Sequence, residues 1–434
     1  MKFTSLSTRL GLLVVLAMPA GQLLQAQPSK PSHYSVTDLG TLPGGDFSQA
    51  TNVSDNRLVT GLSSVADGTQ HALFWWGPFR IDIGAPGVNS GAFGINARGQ
   101  ASVQSEVADK DPNNENFCAY GTGRKCLAFR WQQGVMTLLP TLGGNNATVG
   151  NINSRGEIPG LAETNMRDQE CPSGVSVNGV GPLLLDYRGV IWGPGPNDVR
   201  ELHPLPGDTV SMAIWMNDNG QAVGGSGRCG NTLPPPIAVA PHAVLWERDG
   251  TVVDLGNLGG SVNTSILGVG NIGLAINNPG EVTGAAAIPD GTHFHAFLWT
   301  KQAGKMRDLG TLPGDVDSAG TAINDRGQVV GGSTDPDGNV RAYVWQDGVM
   351  SDLNSLVVSG SQLHLLLAFG INSSGEIAGF GVNSHGDVRA FLATPVYGMD
   401  DKARTPAALP ENLRAILEKG ASFGRLRITL PRPK

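Results

Sequence analysis

The sequence is poor in charge. Only 15% of its 434 residues are Asp, Glu, Lys or Arg, the formal net charge is −7, and no tract of Lys or Arg occurs. Because nucleic acids are bound through clustered cations, a nucleic-acid partner is not expected. The chain also contains no Walker loop, no H-E-x-x-H motif and no C-x-x-C pair. The sequence therefore gives no sign of nucleotide hydrolysis, zinc-peptidase chemistry or dithiol redox chemistry.

Long apolar runs are confined to the N-terminus. Lys2 and Arg9 precede an apolar run over residues 10–20, and a small residue stands at Ala26. This layout predicts a signal peptide over residues 1–26, cleaved after Ala26 although Leu24 is bulkier than usual. The alternative is an uncleaved anchor helix, for which the run is short. No later segment is long enough to span a membrane, so we expect a secreted, periplasmic or cell-surface protein.

Cysteine is scarce, with four residues in all. In an exported chain, four cysteines favour two disulfides. Cys118 and Cys126 share one loop, whereas Cys171 and Cys229 lie in corresponding loops of two neighbouring repeats, and this placement predicts the pairs Cys118–Cys126 and Cys171–Cys229. A metal site is the alternative, but no ligand spacing supports it.

Glycine and proline are abundant, at 61 and 28 residues, and they punctuate a repeat. Its clearest copy, residues 319–354, has four short alternating apolar segments separated by Asn, Asp and Gly, which predicts a four-stranded meander. In the turn 324–327, Asn324 caps the turn with its own side chain and Gly327 accepts a positive φ. This spacing predicts a tight hairpin between the first two strands.

The hairpin turn recurs seven times along the chain, at intervals of 42 to 64 residues. Its first positions are Ser54, Asn96, Asn153, Asn217, Asn277, Asn324 and Asn372. Repeats of this length with four strands each predict an all-β, seven-bladed β-propeller over residues 34–394. The chain starts with a fourth-type strand at 34–42, and its last repeat stops after the third strand at Ala393. Pairing the first strand into the last blade would close the ring and remove two exposed edges.

One aromatic position and one basic position belong to the repeat itself. Six of the eight tryptophans end the third strand and are expected to pack blade on blade; they are Trp75, Trp131, Trp192, Trp246, Trp299 and Trp345. His71, His242 and His295 begin that strand, where Arg341 and Arg389 stand in other copies. Equivalent positions in different blades lie far apart, so we interpret these histidines as structural rather than as a metal or catalytic set.

Three long insertions interrupt the connection between the second and third strands of blades two, three and four. They span residues 104–126, 162–188 and 226–241. In a four-stranded meander these connections emerge on one face, opposite the short hairpins, and we call that side the insertion face. Variable insertions on a rigid ring are the usual place for binding. The alternative is that they only cap the ring.

The candidate ligand-binding residues are two tryptophans outside the repeat position and three acids in the insertions. Trp215 stands on a first strand where other blades carry Ala or Gly, so it is either a stacking platform for a sugar or a core-filling side chain. Trp76 is the second tryptophan, and Asp109, Asp111 and Asp168 are the acids. None of them forms a convergent catalytic set, so we predict no catalytic residue. The G-x-S-x-G pattern at 420–424 follows a helix instead of preceding one, the reverse of a nucleophile elbow.

Calcium is the one possible cofactor, and no metal ligand set is otherwise predicted. Asp109, Asp111 and Asn113 place oxygen atoms at alternate positions, as calcium loops do, and Asp335, Asp337 and Asn339 do so more weakly. Ordinary turn composition is the alternative.

Residues 395–434 form a basic extension with eight Lys and Arg against four Asp and Glu. Pro410 and Gly420 bound a predicted short helix whose face carries Leu413, Ile416 and Leu417, and residues 425–430 alternate like a strand. The extension either docks on the acidic ring or binds the cell surface or a partner.

The repeat resembles the HAF repeat family of probable extracellular bacterial proteins. The resemblance rests on a His-Ala-Phe-Leu-Trp segment at 295–299, an Asp-Leu-Gly-Thr-Leu-Pro-Gly segment at 308–314 and an Ala-Ile-Asn-x-x-Gly-Gln-Val-Val-Gly segment at 322–331. It covers about five-sixths of the chain, although the insertions dilute copies two, three and four. The resemblance implies an exported protein and brings no established activity or catalytic residues.

The sequence therefore favours an exported, monomeric, non-catalytic binding module whose insertion face contacts an extracellular glycan or protein. Two alternatives stay open. One is a glycan hydrolase or lyase with acids on that face, and the other is a purely structural component of an envelope or matrix.

Overall fold

The chain forms a closed ring of seven small antiparallel sheets, each with four strands. The computed structural model describes residues 33–84, 88–171, 183–195, 197–232, 240–260, 270–358 and 360–396. The predicted signal peptide and nearly all of the C-terminal extension lie outside the described residues. The ring is the seven-bladed β-propeller that the repeat predicts.

The blades follow one another along the chain as meanders. The strands are β1 (His33–Asp38), β2 (Ser48–Val53), β3 (Val59–Ser64), β4 (Gln70–Trp76), β5 (Phe79–Asp82), β6 (Ser90–Ile95), β7 (Gln100–Lys110), β8 (Arg124–Gln132), β9 (Val135–Leu138), β10 (Gly143–Val149), β11 (Ile158–Arg167), β12 (Leu185–Trp192), β13 (Val199–Leu202), β14 (Val210–Met216), β15 (Ala222–Gly227), β16 (His242–Trp246), β17 (Val252–Asp254), β18 (Ile272–Ile276), β19 (Val282–Ala287), β20 (Phe294–Trp299), β21 (Met306–Gly310), β22 (Asp317–Ile323), β23 (Val329–Thr334), β24 (Val340–Gln346), β25 (Val349–Asp352), β26 (His364–Ile371), β27 (Ile377–Val382) and β28 (Val388–Val396). Blades one to six are β2–β5, β6–β9, β10–β13, β14–β17, β18–β21 and β22–β25. Two single-turn 3₁₀ helices, Cys229–Asn231 and Leu353–Leu356, are the helical elements of the described residues.

Blade seven is built from both ends of the described chain. Its sheet order is β1-β28-β27-β26, with Ser35 opposite Thr394 and Val36 opposite Ala393. Tyr34 is buried in one apolar cluster with Phe391 and Leu353. The first strand therefore closes the ring, as predicted, and the closure leaves no open end between blades seven and one.

The hairpin asparagines form a hydrogen-bonded ring around the inner strands. Within a turn, Asn324 Oδ1 accepts from the backbone N–H groups of Arg326 and Gln328, and its Nδ2 donates to Gln328 Oε1 at 2.8 Å. The same Nδ2 donates to the backbone oxygen of Asn372 in the next blade. This link recurs at 2.9–3.3 Å from Asn96 to Asn153, Asn153 to Asn217, Asn217 to Asn277, Asn277 to Asn324 and Asn372 to Ser54. All four hydrogen-bonding positions of the amide are therefore satisfied in the buried turn.

In blade one, a different residue makes the hydrogen bond that continues the asparagine ring to blade two. Ser54 has no amide to donate, but Asn56 Nδ2 donates to the backbone oxygen of Ala97 in blade two at 3.1 Å. The turn nevertheless holds a positive φ of 66° at Arg57, where the other copies have Gly. Arg57 Nε in turn pairs with Glu376 of blade seven at 2.8 Å.

Tryptophan packing between blades is confirmed. Trp75, Trp192, Trp246, Trp299 and Trp345 are buried, and Trp131 meets Phe74 of blade one edge-on at 4.5 Å. Trp75, for example, lies in one cluster with Ala378 and Leu392 of blade seven. Burying one such side chain stabilises the fold by about 2–3 kcal/mol.

The repeat histidines pair with acids inside their own blades. Nδ1 of His71 lies 2.9 Å from Asp82, and Nδ1 of His295 lies 2.9 Å from Asp308. The corresponding third-strand cation of blade six, Arg341, meets Asp352 at 3.1 Å. These contacts tie the third strand to the fourth and leave the histidines in separate blades.

Candidate functional site

The insertion face is built on two unusually long hairpins. β7 has eleven residues and β11 has ten, whereas the second strands of the other blades have six. The pairing shifts between Glu106 and Lys110 in blade two, and at the equivalent step between Glu163 and Arg167 in blade three. Such bulges bend a strand and add twist. Both hairpins therefore extend beyond the edge of the ring.

Both predicted disulfides are confirmed. Cys118–Cys126 closes the insertion of blade two, and Cys171–Cys229 joins the insertion of blade three to that of blade four. Asp168 lies close to the second pair. Since both sulfurs are already bonded to each other, they offer no thiolate to a metal.

Hydrogen bonds and a salt bridge also link the three insertions to one another. The backbone N–H groups of Leu184 and Leu185 in blade three donate to Glu115 Oε1 of blade two, at 2.5 and 3.3 Å. The Tyr187 hydroxyl donates to the backbone oxygen of Thr232 in blade four, and Arg228 pairs with Glu170 at 2.7 Å. The described parts of the insertions are therefore joined across three blades.

A cluster of buried carboxyl groups lies beneath them. Asp111, Glu115 and Glu163 are 5%, 0% and 0% exposed. Asn146 Nδ2 donates to Asp111 Oδ2 at 2.9 Å and to Glu163 Oε2 at 3.0 Å. Asn146 Oδ1 accepts from the backbone N–H of Cys126, which fixes the orientation of the amide. One asparagine therefore bridges acids of two blades.

Burial decides the charge of this cluster. Desolvation, reinforced by the charge of Glu115, raises the pKa of Glu163 to about 9. Desolvation also raises the pKa of Glu115. Glu163 Oε1 is buried and has no hydrogen-bond partner among the described residues. Glu163 is therefore a neutral carboxylic acid at neutral pH.

Blade two repeats this arrangement with Glu106. Glu106 and Glu163 occupy equivalent positions, as do Asn89 and Asn146. Asn89 Nδ2 donates to Glu106 Oε2 at 2.8 Å, and the Thr122 hydroxyl donates to Glu106 Oε1. Glu106, Glu115 and Glu163 are not among the ligand-binding residues that the sequence predicts. The repeated Asn–Glu pair, seventeen residues apart in both blades, was the signal that could have found Glu163.

The five predicted ligand-binding residues lie at two opposite ends of the blades. Asp109 is exposed on β7, Asp111 belongs to the buried cluster, and Asp168 accepts from the Thr209 hydroxyl at 2.9 Å. Trp76 is the last residue of β4 and Trp215 is the last but one of β14, and both lie next to the short turns. We call the side of these turns the hairpin face. The structure brings the acids to the insertion face and the tryptophans to the hairpin face.

The two tryptophans differ in exposure. Trp215 is half-buried and packs against the apolar clusters of Val223 in blade four and Ala275 in blade five. This packing agrees with the core-filling alternative. Trp76 is 59% exposed and contacts Phe79, with ring centroids 6.2 Å apart.

The two possible calcium segments use their oxygen atoms in turns. Asp111 Oδ1 accepts from the backbone N–H groups of Asn113 and Glu115. Asp335 does the same with the N–H groups of Asp337 and Asn339. Because N–H groups already occupy these oxygens, the donor sets do not favour calcium. Calcium binding stays a prediction.

An open groove of about 700 Å³ lies between blades four and five. A salt bridge of 2.8 Å between Lys301 and Glu247 crosses it. Its lining consists of Glu247, Arg248, Asp249, Thr251, Val253, Asp254, Trp299, Lys301 and Gly304. None of the predicted ligand-binding residues lines it.

In the described part of the chain, no helix is both long and apolar enough to cross a membrane.

Comparison with known proteins identifies no family. No protein-family model and no curated protein matches the chain. Among solved structures, the chain is similar to Pyrococcus horikoshii acylaminoacyl peptidase (12% identity, TM-score 0.47, 81% of this chain and 52% of the peptidase). It is also similar to an oligogalacturonate lyase from Vibrio parahaemolyticus (10%, 0.46, 85% and 94%) and to Aleuria aurantia lectin (12%, 0.34, 87% and 100%). The chain spans about half the length of the peptidase. With identities and TM-scores this low, these similarities carry no argument about its function.

Proposed function

We propose that the protein is an exported, non-catalytic β-propeller that binds an extracellular glycan or protein through its insertion face. The observation that carries the proposal is the joining of three insertions into one body. The disulfide Cys171–Cys229 and the contacts of Glu115 with Leu184 and Leu185 hold segments of different blades together. A surface fixed in this way loses little conformational freedom on binding, which favours affinity.

The state of the acids favours binding over catalysis. Glycoside hydrolysis needs two carboxyl groups that flank the sugar, yet Glu106, Glu115 and Glu163 are nearly inaccessible and accept hydrogen bonds from the protein itself. Asp109 is exposed, Asp168 is half-buried, and the two stand on different blades. Export is supported by the predicted signal peptide and by the two disulfides, which suit an oxidising compartment. Membership of the HAF repeat family is likewise a proposal, supported by the matching repeat segments.

The test is a panel of immobilised extracellular polysaccharides and surface proteins, in which retention and newly formed reducing ends are both measured. We expect retention without new ends, and at least a tenfold weaker retention, about 1.4 kcal/mol, for a variant with Asp109→Ala and Met166→Ala on the exposed tips of β7 and β11. Val349→Ala, on the outer strand of blade six, is the matched surface control.

Two results would contradict the proposal. New reducing ends that disappear in Asp109→Asn or Asp168→Asn would identify a glycan hydrolase or lyase. Neither retention nor cleavage would favour a structural component of the envelope or matrix.

A further inference from the structure

Blade one carries an exposed apolar surface at its outer rim. Trp76, Phe79 and Ile81 are 59%, 62% and 42% exposed, and we call these three residues the rim patch. Trp76 stands opposite Phe79 in the β4–β5 pair, and Phe74 stands opposite Ile81. Because alternate residues of a strand share a face, the three side chains lie on one side of the blade. Contiguous apolar surface of this kind marks an interaction site.

The rim patch faces blade two. Phe74, on the same side of β4 as Trp76, contacts Trp131 of blade two. The equivalent space is filled differently elsewhere. Between blades five and six, Arg307 lies over the ring of Trp345 at 5.3 Å. Between blades four and five, the lining residues include Glu247, Thr251 and Lys301. Aromatic side chains therefore distinguish the space beside blade one from these two.

The chain itself supplies a segment within reach. Described structure ends at Val396, the last residue of β28. The register places Ala393 opposite Ile377 and Trp75 opposite Val59, so Thr394 in blade seven is the equivalent of Trp76 in blade one. The described chain therefore ends at the hairpin face of blade seven, which neighbours blade one on the side opposite to the rim patch.

Length and composition of this segment suit the patch. Residues 397–409 precede the predicted helix, and an extended chain covers about 3.3 Å per residue, enough to pass one blade. The helix would present Leu413, Ile416 and Leu417 on one face. The extension is basic, whereas the whole chain carries −7, so long-range attraction favours docking of the extension on the rest of the chain.

We propose that the C-terminal segment folds back onto the rim of blade one, with the apolar face of residues 411–419 on Trp76 and Phe79. A tethered segment acts at a high effective concentration, so a modest contact area is sufficient. The contact lies on the opposite side of the ring from the insertion face, and the inference does not depend on the proposed function.

The experiment places a photo-crosslinking residue, benzoylphenylalanine, at position 79 of the full chain. Val349 is the matched control position, because it pairs with Gln346 as Phe79 pairs with Trp76 and is 61% exposed. We expect position 79 to crosslink within one chain to peptides of residues 397–434. Leu413→Asp should reduce this crosslink about tenfold without changing the melting temperature of the ring.

Three results would overturn the inference. Crosslinks between two chains would assign the rim patch to a second copy. A yield at position 79 no higher than at position 349 would show that the patch is uncovered. An intramolecular crosslink unaffected by Leu413→Asp would show that the apolar face of the helix does not make the contact.

Discussion

Glu163 is the residue whose charge the fold controls most strongly. It has no exposed surface, its Oε2 accepts from the backbone N–H of Asn145 and Asn146, and its Oε1 has no described partner. The folded protein therefore retains a proton that the unfolded chain releases. Since the pKa rises from 4.5 to about 9 on folding, the contribution of this group to stability is greatest below pH 4.5. It falls as the pH rises from 4.5 to about 9.

Glu163→Gln should remove this pH dependence. Gln mimics the protonated acid, so we expect the variant to be more stable than the wild type at pH 8, by at least about 1 kcal/mol, and equally stable near pH 4.5. Urea unfolding at several pH values measures the difference. Asp109→Asn, at an exposed acid of the neighbouring insertion, also replaces an acid by its amide and serves as the control. Parallel pH profiles for wild type and Glu163→Gln would contradict the predicted protonation.

The contacts of Asn324 and Glu163 differ in how far the sequence predicts them. The capping role of Asn324 inside its own turn follows from local spacing, because both partners lie within four residues. The second bond of the same amide, to Asn372 of the next blade, depends on how blades stack. The burial of Glu163 similarly requires Asn146 and the insertion of a neighbouring blade. Patterns within one strand or turn were predictable, whereas contacts set by two blades were not.

At the scale of elements, the insertions are held together by disulfides and hydrogen bonds, and the two disulfides close loops of different length. Cys171–Cys229 closes a loop of 58 residues between two blades, and Cys118–Cys126 closes one of 8 residues within a single insertion. The sequence predicted both pairs because Cys118 and Cys126 share one loop, whereas Cys171 and Cys229 fall in corresponding loops of neighbouring repeats. It also placed the insertions on one face, because strand order alone fixes that face. It did not predict that Glu115 would reach the backbone of the next insertion.

The two disulfides should differ in their effect on stability. In the chain-entropy description, the stabilisation grows with the closed loop, so replacing Cys171 and Cys229 by Ala should cost about 4 kcal/mol and replacing Cys118 and Cys126 about 2.5 kcal/mol. Denaturant unfolding of the two double variants gives the comparison. In the variant that lacks Cys171–Cys229, amide hydrogen exchange should become faster in residues of both blade three and blade four. Equal losses, or exchange confined to blade three, would argue against a covalent tie that holds the two insertions together.

At the scale of the whole molecule, the ring depends on a strand contributed by the other end of the chain. β1 supplies the outer strand of blade seven, and its Tyr34 is 2% exposed beside Phe391 and Leu353. The asparagine ring, continued through Asn56 in blade one, couples every blade to the next. Because every blade is hydrogen-bonded to both of its neighbours, we expect loss of the Tyr34 contact to lower the stability of the whole ring. Blade seven should not unfold by itself.

Tyr34→Ala tests this cooperativity. Removing a buried aromatic side chain costs about 3 kcal/mol, and we expect a single calorimetric transition at a lower temperature. Ser35→Ala, at the next and exposed position of the same strand, should leave the transition within about 0.5 kcal/mol of the wild type. An additional low-temperature transition in Tyr34→Ala, with early exchange limited to β26–β28, would mean that blade seven unfolds independently. The N-terminal strand would then complete one blade without holding the ring, and the coupling by the asparagine ring would be weaker than the geometry implies.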